Sequence, residues 1–270
     1  KMKININHKT IYNYSDIVPR LIQSVRLFPT ECANQKTIKW SIKSSKGVIS
    51  ESHQDSLGHR IFSIYNTNLV GTQTIVSRGT IETKDTSGVL KGLKEKINPL
   101  CFARNTELTY PCKKIIKLSK KLNKCSEDDI SFCHKMNDVV SKSIKYVSGS
   151  TTVYTSAQKS IEQGKGVCQD FAHILISLAR FYGFPARYIN GFLFEEGDSF
   201  ENSTHAWVEI FITDLGWVGF DPTQNKCTDE KYIRLCCGLD FLDASLIKGV
   251  KTNFNGVEDL KVDVSIDSCQ

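Results

Sequence analysis

Three residues in this chain stand where acyl-transfer chemistry could be done. Cys168 follows Gly164-Lys165-Gly166-Val167 and opens a run of apolar residues, Phe171, Ile174, Leu175, Leu178 and Phe181. Their spacing of three and four predicts a helix from about Val167 to Tyr182, stopped by Gly183-Phe184-Pro185. A thiol in the first turn of a helix meets the positive end of the dipole, which favours thiolate, and free N–H groups that can hold an oxyanion. The two glycines let backbone approach a substrate closely. His205 opens a predicted strand in Thr204-His205-Ala206-Trp207-Val208-Glu209, and Asp221 closes the next in Gly216-Trp217-Val218-Gly219-Phe220-Asp221-Pro222. If Thr213–Gly216 turns the hairpin, both lie at its open end, about three residues out of register. Alone, His205 reads as an ordinary sheet histidine and Asp221 before proline as a turn former. With Cys168 they supply nucleophile, base and orienter, the logic of a catalytic triad.

The other marked residues read as structure. His173 falls five positions after Cys168, about 140° round a helix, and so faces elsewhere. Gln169 and Asp170 cap the helix start or line the cleft. Trp207 and Glu209 share the strand face of His205, and Arg187 reads as an ion-pair partner within the fold. A side-chain oxyanion donor is expected upstream of Cys168, where Gln163 and Tyr154 have the right types and nothing more.

Around these residues the sequence divides. Residues 3 to about 85 alternate in period two, as in Thr37–Ile42, Arg60–Tyr65 and Thr74–Ile81, which predicts half-buried strands in a small antiparallel sandwich. Lys84-Asp85-Thr86-Ser87-Gly88 reads as a boundary, giving a β-rich domain over 2–85 and a catalytic domain over 86–270. Helical patterns cover Lys113–Lys124, Ser126 (as N-cap) to about Tyr146, and Ser156–Gln163. Strands follow over 186–194, 204–211 and 217–220, and the tail from about Thr252 to Ser268 alternates again.

Composition narrows the classes. The chain has 270 residues, 40% hydrophobic and 24% charged, enough for a sizeable core. Lys1 precedes Met2 and is set aside from fold reasoning. The net charge is +6 and the cations are dispersed, with no interleaved aromatics, so no nucleic-acid partner is expected. No apolar window reaches membrane-helix length and no signal-peptide pattern opens the chain, which predicts a cytoplasmic protein without a membrane partner. Ten cysteines without a C-x-x-C pair argue for buried thiols, not zinc ligands.

Gly166-Val167-Cys168-Gln169-Asp170-Phe171-Ala172-His173, followed by Gly183-Phe184-Pro185-Ala186-Arg187-Tyr188, resembles the transglutaminase-like family, relatives of the papain-type cysteine proteases. His205-Ala206-Trp207-Val208-Glu209 and Asp221-Pro222-Thr223 match its other two blocks, in order, over roughly residues 150–240. The first third also resembles the β domain that precedes this core in bacterial members. The resemblance implies an α+β fold: an N-terminal antiparallel β-sandwich-like domain, then a papain/transglutaminase-like core with a catalytic helix packed on an antiparallel sheet. It implies Cys168, His205 and Asp221 as catalytic residues, thioester chemistry on amide groups of a peptide or protein substrate, and neither cofactor nor metal. Calcium sites belong to animal members, and no acidic loop here matches them. Hydrolysis is favoured because water is always at hand. Transfer to an amine, or a non-catalytic binding module, stays open, as does the oligomeric state.

Overall fold

The computed structural model describes residues 1–122, 128–195 and 204–269 of the chain. Its N-terminal part is built from β1 (Met2–Val25), β2 (Gln35–Ser44), the short β3 (Val48–Ile49) and β4 (His53–Gln54), and β5 (Arg60–Thr83). β1 and β5 run antiparallel for almost their whole length, interrupted by a bulge between Tyr14 and Val18. The strand runs expected at 60–65 and 74–81 are therefore one strand. Pairing with β1 carries the chain through the polar stretch between them, so local turn residues do not break it.

The middle of the chain is helical: α1 (Lys113–Ser119), α2 (Asp129–Ser141), the strand β6 (Lys145–Tyr146), α3 (Ala157–Gln163), β7 (Lys165–Gly166) and α4 (Cys168–Phe181). α2 departs from expectation at both ends. Asp128 is its N-cap, accepting from the Ser131 N–H at 2.9 Å. Ser126 lies outside the described residues, and Lys145–Tyr146 leaves the helix to pair in parallel with β7. α3 begins at the expected cap, Ser156, and α4 ends where Gly183 takes a positive φ of 84°.

Five antiparallel strands make the second sheet: β8 (Ala186–Leu193), β9 (Thr204–Ile212), β10 (Gly216–Asp221), β11 (Lys226–Cys227) and β12 (Tyr232–Gly238), in the order β11-β10-β9-β8-β12. α4 packs on one face through Ile174, Leu175 and Leu178, meeting Ala186, Val208, Ile210 and Phe220. On the other face, Ile233 and Leu235 of β12, with Phe192 of β8, share a core with Ile4, Ile6, Ile75 and Ile81 of the N-terminal sheet. The layer that covers the N-terminal sheet is thus the second sheet itself.

β13 (Ile247–Thr252) and β14 (Glu258–Cys269) complete the chain, and both pair antiparallel with β1. Residues 247–269, assigned from sequence to the 86–270 part, thus add two strands to the sheet of the first 85 residues. The tail returns as a strand, but to the sheet of the first 85 residues, because β1 offers twelve residues of open edge and Val264 and Ile266 continue its buried face. No helix among the described residues is long and apolar enough to cross a membrane.

Candidate active site

Cys168 is the first residue of α4. The chain enters through Gly166 and Val167, and this entry is held by Asp170, whose Oδ2 accepts from the Val167 N–H at 2.8 Å and from the Thr151 hydroxyl at 2.6 Å. Gly166 has to be glycine here, since a Cβ would meet the Asp170 carboxyl at 2.8 Å. The clamp aims the first turn of α4, with the N–H groups of Cys168 and Gln169, at a groove of about 510 Å³. Gln169, expected to cap or to line the cleft, lines it and donates to the Thr152 carbonyl. Asp170 is the capping residue.

β9 and β10 bring the other two residues in. β9 ends at Ile212 and β10 starts at Gly216, with Asp214 and Gly216 at positive φ, so the turn is tighter than expected. The register pairs Phe220 with Val208, which places Asp221 across from Trp207, two residues from His205. That is roughly 7 Å along the strand. Both side chains lie on one face and close the gap: His205 Nε2 donates to Asp221 Oδ2 at 2.7 Å. His205 is also hydrogen-bonded to the Cys168 thiol. With Nε2 engaged by Asp221, Nδ1 is the nitrogen that serves sulfur.

Asp221 is fully buried and each of its oxygens has partners. Oδ2 also accepts from the Tyr232 hydroxyl at 2.7 Å, and Oδ1 from the N–H groups of Thr223 and Gln224 at 2.8 and 3.2 Å. Burial opposes the charge, but His205 and these donors hold its carboxyl below the usual range. His205 shows the reverse balance: burial disfavours its cation, yet the Asp221 carboxylate and the bonds to Asp221 and Cys168 raise it to about 10. Tyr232 was not legible in the sequence. It sits on β12, two strands away in sheet order from β9, and only the fold carries its hydroxyl to Asp221.

Trp207 packs beneath the site, its ring 6.3 Å from that of His205 and edge-on to Tyr232. It reaches across β8 because Gly191, opposite His205, has no side chain; a Cβ there would come within 2.6 Å of the indole. Glu209 and Arg187 prove to be fold-level partners: buried Glu209 joins Arg187 at 2.6 Å and Arg234 at 2.8 Å, and Arg187 also binds Glu95. His173 faces away, accepting from the Phe241 N–H. Of the upstream oxyanion candidates, Gln163 is exposed and Tyr154 is 74% exposed, and neither lines the groove; Tyr146 does. Cys133, Cys236 and Cys237 are buried.

The comparisons agree with this architecture. Residues 116–222 match the transglutaminase-like superfamily, and residues 4–82 match the bacterial transglutaminase-like N-terminal region. An uncharacterized protein of Mycobacterium leprae is 26% identical over 284 residues, spanning 98% of both chains. One from Mycobacterium tuberculosis is 25% identical over 292 residues, spanning 98% of this chain and 92% of its own. A solved structure from Cytophaga hutchinsonii, described as a candidate cysteine protease, superposes with a TM-score of 0.79 at 22% identity. It covers all of this chain and 91% of the other, and it shows the shared fold.

Proposed function

We propose that this chain, which belongs to the transglutaminase-like superfamily, is a cysteine-nucleophile enzyme. Its substrates are amide acyl groups of peptides or proteins, which it cleaves through a thioester, with water as the resolving nucleophile. The observation that carries the reading is the hydrogen-bonded chain Cys168–His205–Asp221, opening on a groove at the start of α4.

In this reading the Cys168 thiolate attacks the amide carbon, and the N–H groups of the first turn of α4 receive the oxyanion. The His205 imidazolium gives its Nδ1 proton to the leaving nitrogen, so the tetrahedral species collapses to a thioester and a free amine. Neutral His205 then takes a proton from water as water attacks the thioester. Collapse expels the Cys168 thiolate, leaving a carboxylic acid and the original ion pair. Asp221 holds Nε2 throughout and keeps Nδ1 facing sulfur. Hydrolysis is favoured over transfer because water needs no site of its own.

Cys168→Ala is expected to abolish both turnover and thioester formation in a screen of peptides offered with and without amines. Full activity in that variant would sink the proposal. Free acid as product identifies hydrolysis, and amine incorporation identifies transfer. A binding module predicts a different labelling pattern. Iodoacetamide at neutral pH should modify Cys168 first. Cys237 makes a sharp control, because its thiol is lowered to about 7: burial opposes the thiolate, but Arg187, Arg234 and His59 outweigh it. It is nonetheless fully buried and should be spared.

A further inference from the structure

Strand alternation scatters along the sequence a set of cations that the N-terminal sheet gathers on one face. On the face turned away from the core, the register aligns two polar rungs across four strands. One runs from Lys39 of β2 through Thr80 of β5 and Asn5 of β1 to Asp267 of β14. The next runs through Ser41, Arg78, Asn7 and Ser265 on the same strands. Together they floor a groove of about 600 Å³. The flanking rungs place Lys36 and Lys3 on either side of Glu82, and Lys43 and Lys9 on either side of Val76.

Six cations therefore stand over the β2, β5 and β1 part of this face, and among the described residues none of them is in an ion pair. The acid within that part, Glu82, is bonded to Lys1. The remaining acids of this face, Asp259, Asp263 and Asp267, are confined to β14, and Asp263 pairs with Lys261. Such a field attracts polyanions and is weakened by salt.

We propose that this face binds an acidic polysaccharide, independently of the chemistry at Cys168. The cations meet carboxylates of the chain. Between them the floor presents carboxamides and hydroxyls, groups that both donate and accept and so suit sugar hydroxyls. The floor crosses three strand intervals, roughly 14 Å, and lies open along its length. No aromatic ring stands on these four rungs; the Trp40 indole is on the opposite face, donating to the Leu27 carbonyl. A single-stranded nucleic acid would therefore find no stacking platform here. An acidic peptide would use the cations but has fewer hydroxyls than a sugar to engage the carboxamides and hydroxyls between them.

The test is titration of the full chain with fluorescently labelled oligogalacturonate, at low and at high salt. The sugar acid should bind, and binding should weaken as salt rises. Lys39→Glu and Arg78→Glu should each lower affinity by about tenfold or more, and Lys43→Glu serves if either fails to fold. The double variant Asn5→Ala/Asn7→Ala should weaken the glycan several-fold while leaving the weaker binding of poly-L-glutamate and of a single-stranded oligodeoxynucleotide unchanged. The proposal is overturned if oligogalacturonate does not bind, if poly-L-glutamate or the oligonucleotide binds as well or better, or if the asparagine variant binds all three as before.

Discussion

Asp221 meets two side-chain donors with one oxygen, and this sets what its loss and its neighbour's loss would do. Oδ2 takes both the His205 Nε2–H and the Tyr232 O–H, while Oδ1 is fixed by backbone. Replacing Asp221 by Asn removes the anion that holds His205 charged. The raised imidazolium is the state that persists until pH rises through about 10, so activity should keep its alkaline limb near that value. In Asp221→Asn the limb should move down towards the ordinary histidine range near 6.5. A pH–rate profile reads this, and an unmoved limb would separate Asp221 from His205. Tyr232→Phe should act more gently. It deletes a hydrogen bond to a buried carboxylate, a contact worth roughly 1.5–3 kcal/mol, and so lowers kcat/KM by about tenfold or more. Of these residues, Cys168, His205 and Asp221 were legible because each sits in a short motif that states its local structure. Tyr232 was not, since Tyr232-Ile233-Arg234-Leu235 reads as any buried strand.

At the scale of elements, the site depends on how β8, β9 and β12 are locked together behind it. Glu209 of β9 lies fully buried between Arg187 of β8 and Arg234 of β12, and Arg187 also lies 3.8 Å from the centre of the Trp217 ring on β10. Burial opposes the Glu209 charge, but Arg234 and Arg187 hold its carboxyl below the usual range. The link also reaches the N-terminal part, where Arg234 donates to Thr30 and accommodates the Gln35 side chain on its backbone. Glu209→Ala would leave two buried guanidinium groups short of a partner, a loss of about 3–5 kcal/mol, read as a drop in the urea midpoint. A change below 1 kcal/mol would mean that water replaces the carboxylate. Strand identities here were legible from apolar runs and the Thr213–Gly216 turn signal. The ion cluster was only partly so. Arg187 could be named as an ion-pair partner, but Glu209 read only as sharing the face of His205, and Arg234 and Glu95 are remote in sequence with nothing in their local context to mark them.

For the molecule as a whole, the two sheets share one core and are expected to unfold together, and the buried histidines should make that visible in acid. His8 on β1 lies against Phe192 of β8, in the contact between the sheets, and His173 of α4 is buried against Tyr188 of β8. Burial lowers each of them to about 4, so both fold as neutral imidazoles. In the unfolded chain each takes a proton near pH 6.5. Between these values the unfolded state binds more protons, and stability must fall as pH drops from about 6.5 towards 4, by roughly 3 kcal/mol for each histidine. His205 does not blur this window. Its raised value makes its contribution complete below 6.5 and lost only as pH rises towards 10. Urea unfolding followed from pH 6.5 to 4.5 should show this slope, and His8→Gln should flatten it by about half while tryptophan fluorescence and far-UV signals still change together. Two separate transitions, with the N-terminal sheet melting first, would show that the shared core of Phe192, Ile233 and Leu235 does not bind the sheets into one unit. The alternating tail offered no hint of this unity, because period two specifies a strand and one buried face but not the partner strand. That partner, β1, is set by which edge is open once β5 has taken the other side.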